Sequence, residues 1–129
     1  MEIQVEIQSS FDCVDDAIQI ITAAMQNGSP LTDQRTLFSI RFALRELLNN
    51  AVEHGNALQI QKMVRCTVSY IDGLLTIDIT DEGSGFRMEN TVTESIPVDS
   101  ERNRGIRTLE LMGFKIAVRD NHVQALLVF

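Results

Sequence analysis

Cysteine is scarce in this chain of 129 residues, with only Cys13 and Cys66 present. Neither stands in a CxxC pair, and no His/Cys cluster has zinc-ligand spacing. Two small apolar fillers are the simplest reading, and reduced thiols fit a cytoplasmic location. Long apolar runs are missing too: none approaches the ~20 residues of a membrane-spanning helix. The N-terminus lacks a basic region followed by an apolar run, so no signal peptide is expected. Internal repeats and low-complexity linkers are absent as well. Positive charge is in short supply, with 11 Lys and Arg against 18 Asp and Glu and a net charge of -7. That balance argues against a general nucleic-acid or anionic-membrane surface. It leaves ATP open, because a magnesium ion and local dipoles can offset phosphate charge.

What is present suits one domain with a real core: 44% hydrophobic and 22% charged residues over 129 positions. Ile3, Val5 and Ile7 alternate with polar neighbours, a half-buried strand. Ser10 or Asp12 can cap a helix reaching about Gln26, with Val14, Ala17, Ile18, Ile21 and Met25 as its apolar stripe. Thr32 or Asp33 starts the longest helix, closed by His54-Gly55-Asn56. Met63–Ile71 and Leu74–Thr80 read as strands around an Asp72-Gly73 hairpin turn. Residues 87 to about 103 show no period, and a loop of that length in a compact domain is usually functional or disordered. A short helix is expected from Gly105 to Met112, then strands from Phe114 to Arg119 and from Val123 to Phe129. The order predicts an α+β two-layer sandwich: a mixed or antiparallel sheet with helices on one face.

Three clusters carry the chemistry. On the long helix, Glu46, Asn50 and His54 are spaced i, i+4, i+8 and share a face. An Asn carbonyl oxygen is a hard ligand suited to magnesium, and a nearby carboxylate can deprotonate a nucleophile. The alternative is a solvated face with Glu46 paired to Arg41 or Arg45, and His54 as a favourable cation near a helix end. Next, Asp81 continues the parity of Leu75, Ile77 and Ile79, so its carboxylate faces the same layer as they do. An acid there needs a donor. The exocyclic amine of adenine is one; the alternative is an Asp capping the turn to Gly83 and Gly85. Last, Arg104-Gly105-Ile106 is placed to open a helix, whose free amides attract phosphate. Arg87, Arg102, Arg104 and Arg107 can assist, or belong to a solvated mixed-charge loop.

In order, ExxxNAxxHG on a helix, DxGxGF after a strand and a glycine before a short helix resemble the Bergerat-fold ATPases. That group includes gyrase, heat-shock chaperones, histidine kinases and MutL. "ALRELLNNAVEHGN" and the compact size are most similar to the anti-sigma-factor serine kinases of bacteria. The resemblance implies a single ATP-binding kinase domain over residues 1–129, with an ATP lid at about 87–104. It implies Asn50 as the magnesium ligand, Glu46 as the general base and Asp81 as the reader of the adenine amine. Gly83 and Gly85 would shape the adenine pocket, and Gly105 would cradle phosphate. His54, Phe86, Arg104 and Ile106 complete the implied nucleotide contacts. The implied partner is a small anti-anti-sigma protein of the STAS fold, phosphorylated on Ser or Thr, together with a sigma factor and a second copy of the chain. The chain departs from the pattern in two places. Asn103 replaces the first glycine of the second cluster, and Asn121-His122-Val123-Gln124 carries no threonine for adenine. A nucleotide-binding switch without transfer and a histidine-kinase-like ATPase domain are the competing readings.

Overall fold

The computed structural model describes residues 1–83 and 101–129, with residues 101–103 described by their backbone alone. β1 (Glu2–Gln8) shows the expected alternation: Ile3, Val5 and Ile7 turn inward while Glu2, Gln4, Glu6 and Gln8 are exposed. Ser10 caps α1 (Phe11–Gly28), its hydroxyl oxygen accepting from the Cys13 N–H at 3.2 Å. α1 runs two residues beyond Gln26. It stops where the Ser29 N–H and hydroxyl both donate to the Met25 carbonyl, at 3.0 and 2.8 Å.

Asp33 caps α2 (Gln34–Asn50). Its carboxylate accepts from the Thr36 hydroxyl at 2.8 Å and the Thr36 N–H at 3.0 Å. Those two bonds, the hydroxyl's first, hold its carboxyl below the usual Asp range. Leu37, Ile40, Leu44, Leu47 and Leu48 form the buried stripe. The helix does not end as the regular α-turn the sequence suggests. Residues Ala51–Gly55 widen into a π-helical turn, the Asn56 N–H reaching the Ala51 carbonyl at 2.8 Å. The cause is the anchoring of Asn56. Its amide donates to Ser9 Oγ at 2.9 Å and the Met63 carbonyl at 3.0 Å, and its side-chain oxygen accepts from the Glu82 N–H at 2.8 Å.

β2 (Met63–Ile71) and β3 (Leu74–Thr80) join through Asp72-Gly73, both with positive φ (52° and 81°), the primed turn that suits twisted strands. α3 spans Glu101–Leu111, and β4 (Lys115–Arg119) and β5 (His122–Val128) close the chain. The five strands lie in the order β1-β2-β3-β5-β4 and every neighbouring pair is antiparallel. Of the two sheet types the sequence allowed, the antiparallel one forms. Leu75, Ile77 and Ile79 on β3, Val64, Cys66 and Val68 on β2, and Ala125 on β5 pack with the apolar stripes of α1 and α2, and with Leu109 of α3, in one core. Burial and the Asp78 carboxylate push the Cys66 thiol up to about 12.

Candidate functional site

The spacing of α2 has a direct geometric result. Glu46, Asn50 and His54 line one cavity of about 460 Å³, together with Phe42, Asn49 and Glu53 of the same helical run. Phe11 at the start of α1 forms one wall, and Arg104, Gly105 and Thr108 of α3 form another. That volume lies within the range of small-molecule sites. Of the two arginines considered as surface partners for Glu46, Arg45 binds Asp15 on α1 at 2.6 Å. His54 is exposed, with Nε2 4.0 Å from the Glu53 carboxylate.

Asp81 follows β3 and is buried, as the strand parity predicts. Its Oδ1 accepts from the Gly83 N–H at 2.8 Å, so the turn-capping role is present. The carboxylate also lies against Gly55. A Cβ built on Gly55 would overlap it, and one built on Gly83 would overlap the Gly55 carbonyl oxygen. These glycines let the strand end meet the end of the helix that carries Glu46 and Asn50. Asn121 secures the junction: the Asp81 N–H donates to its carbonyl at 3.0 Å, and its side-chain amide donates to the Asp81 carbonyl. The position expected to hold an adenine-binding threonine is thus next to a residue that braces Asp81. Asp81 and Gly83 do not line the 460 Å³ cavity; they sit beyond its His54 end, beside Gly55.

α3 corrects one expectation. It begins at Glu101, so Arg104-Gly105-Ile106 lies within the helix rather than at its opening. The charged residues before Gly105 are good helix formers, and the helix extends through them. Asn103 is helical, so no positive φ is asked of it. The free amides of the first turn therefore precede Gly105. Gly105 has another reason to be glycine: it is buried, and a Cβ there would overlap the Glu46 carboxylate. Ile106 is half-buried and does not line the cavity. Gly85, Phe86, Arg87 and all of the expected lid before residue 101 lie outside the described residues, as does the side chain of Arg102.

Three residues escaped the sequence reading. Asn56 is fully buried and joins the ends of β1, β2 and β3, yet in the sequence it is one more residue after a helix. Asn49 and Glu53 line the cavity; their i+3 and i+7 spacing from Glu46 was the available signal. Among the described residues, no group of three His, Cys, Asp or Glu is placed to hold a metal. The oxygen set does fit magnesium held jointly with phosphate, since that ion keeps waters and takes few protein ligands.

The fold agrees with the comparisons. The chain belongs to the histidine kinase-like ATPase domain family, whose model matches residues 7–122. Among solved structures it is similar to the histidine kinase domain from the Erythrobacter litoralis EL346 blue-light activated histidine kinase. The TM-score is 0.55 at 15% identity, over 88% of this chain and 58% of that one. The likeness is one of fold, and this chain spans little more than half of that structure's length. No curated protein matches the chain. None of the described helices is long and apolar enough to cross a membrane.

Proposed function

We propose that this ATPase-family domain binds magnesium-ATP between α2, α3 and the end of β3, and transfers the γ-phosphoryl group to a Ser or Thr hydroxyl of a protein partner. The observation that carries this reading is the cavity that Glu46 and Asn50 share with Arg104. Asn50 would give its amide oxygen to the metal, and Arg104 would face the phosphates. Asp81 would accept from the adenine amine through the carboxylate that Gly55 and Gly83 leave room for. Bound magnesium would neutralise phosphate charge as it builds on the leaving oxygen. Glu46 would take the hydroxyl proton of the acceptor, a step usually contributing 10²–10⁴-fold. His54, Gly85, Phe86 and Ile106 remain proposed contacts. The motif supports an anti-sigma-type kinase acting on a STAS-fold partner, binding a sigma factor and pairing with a second copy along β1 and α1.

A second reading has its own support. The matched family and the similar fold both carry histidine kinases in their descriptions, so a catalytic domain acting on histidine fits the same site. One experiment separates the readings. The chain is incubated with γ-labelled ATP, magnesium and a purified STAS-domain protein from the same genome. Acid-stable label on the partner, lost in Glu46→Gln while nucleotide affinity persists, is the expected result. Acid-labile label points to histidine. Binding of ATP with no transfer to any acceptor leaves a nucleotide switch, and light scattering that shows only monomer removes the second copy.

A further inference from the structure

The cavity is lined by both acceptors and donors. Glu46, Asn49, Asn50 and Glu53 present carboxylate and amide oxygens, and Arg104 presents a guanidinium. Asn49 stands apart within this set. Its Oδ1 is buried and has no hydrogen-bond partner among the described residues. A buried acceptor left without a donor is costly, so such an atom marks a place where a donor arrives.

The chemistry of the ligand selects that donor. A nucleotide phosphate at neutral pH carries acceptors only and cannot satisfy a carbonyl oxygen. The adenine amine is directed to Asp81, which lies beyond the far end of the π-helical turn. Two kinds of donor remain, the ribose hydroxyls and the hydration shell of magnesium. The metal is assigned to Asn50, next to Asn49 in sequence; this ion dehydrates reluctantly, and each retained water offers O–H donors polarised by the cation. Asn49 is adjacent in sequence to Asn50 and one helical turn from Glu46, so it borders the place where such waters would lie.

We propose that Asn49 is a positioning residue for the metal, accepting a hydrogen bond from a magnesium-bound water while Asn50 contacts the ion itself. This rests on the nucleotide reading of the cavity and adds a specific partner for an atom which that reading leaves unsatisfied. Asn49 then sets how tightly magnesium is held on the bound nucleotide, with little effect on the nucleotide alone.

The test is calorimetric and needs no activity. ADP is titrated into the full chain in EDTA, and magnesium is then titrated into the ADP-saturated protein. In Asn49→Ala the ADP affinity in EDTA stays within about twofold, and the magnesium midpoint rises about 3- to 10-fold, the weight of one hydrogen bond. Asn49→Asp keeps an acceptor at the same place and restores the midpoint to the parent value or below it. An unchanged magnesium midpoint in Asn49→Ala, with ADP still bound, overturns the proposal and leaves the nucleotide site standing. An equal loss of ADP affinity with and without magnesium also overturns it, because Asn49 would then be supporting the cavity as a whole. A parent chain that binds no ADP under either condition removes the nucleotide reading and this proposal together.

Discussion

Asn56 is the residue on which the site's geometry most depends. Its side chain makes three hydrogen bonds in a fully buried position. Asn56→Ala leaves the Met63 carbonyl and the Glu82 N–H without those partners, at a cost of about 3 kcal/mol. Urea unfolding should show that loss as a lower midpoint with an unchanged slope. Asp81 calls for a different substitution. In Asp81→Asn the oxygen that accepts from Gly83 can remain, so the fold should hold while adenine loses its charged acceptor. ADP affinity falls roughly tenfold or more in calorimetry, the value of a charge-assisted bond. Cys66 gives a pH prediction. Its folded pKa is raised from 9.0 to about 12, so the folded state holds the proton more tightly than the unfolded chain. The contribution is complete below pH 9 and is lost as pH rises toward 12, by about 1.4 kcal/mol per pH unit. Stability curves from pH 8 to 11 should fall more steeply for the parent than for Cys66→Ala. Asp81 was legible in the sequence because a period of two carries it to the buried side with Leu75, Ile77 and Ile79. Asn56 was not, because two of its three partners are 47 positions upstream and 26 downstream, and no local pattern records them.

At the scale of elements, the helix starts were readable from single side chains. Ser10 and Asp33 each accept from the N–H three residues on, the local bond that makes those residue types good caps. The first hairpin turn was also readable, from Asp72-Gly73 as the favoured pair; in the second, Asp120 takes the left-handed φ of 53° that Asp tolerates. The start of α3 was not, because the residues before Gly105 carry mixed charge and no apolar period. The π-helical turn after Asn50 was hidden for another reason: it follows from the anchoring of Asn56 by three other elements, not from its own composition. The approach of α3 to α2 gives a prediction. Gly105→Ala places a methyl group where the Glu46 carboxylate lies, so α3 must shift or Glu46 must change rotamer. Alanine is the better helix former, so α3 itself should not weaken. We expect near-parental helical circular dichroism with phosphoryl transfer down by tenfold or more. Retained transfer would show that Glu46 does not need its present place.

The whole molecule joins these pieces through one core. α1, α2 and α3 lie on the same sheet, and the candidate site takes side chains from all three helices and from the end of β3. A ligand bound there contacts elements that can separate only when the core opens, so binding should stabilise the domain as a unit. A ligand that binds the native state alone adds about 2.7 kcal/mol at a hundredfold excess over its Kd. For a domain of this length that amounts to a rise in Tm on the order of 10 °C. The net charge of -7 opposes a bare nucleotide, so the rise should be larger with magnesium than with EDTA. The comparison that matters is among ADP alone, magnesium alone and the two together. The combined rise should exceed the sum of the separate ones, because the metal and the phosphates complete each other's coordination. Asn50→Ala should abolish that excess while leaving the smaller response to ADP in EDTA. Asp81→Ala should abolish both responses. A parent Tm that stays put at millimolar magnesium-ADP would mean that the meeting of α2, α3 and the end of β3 holds no nucleotide.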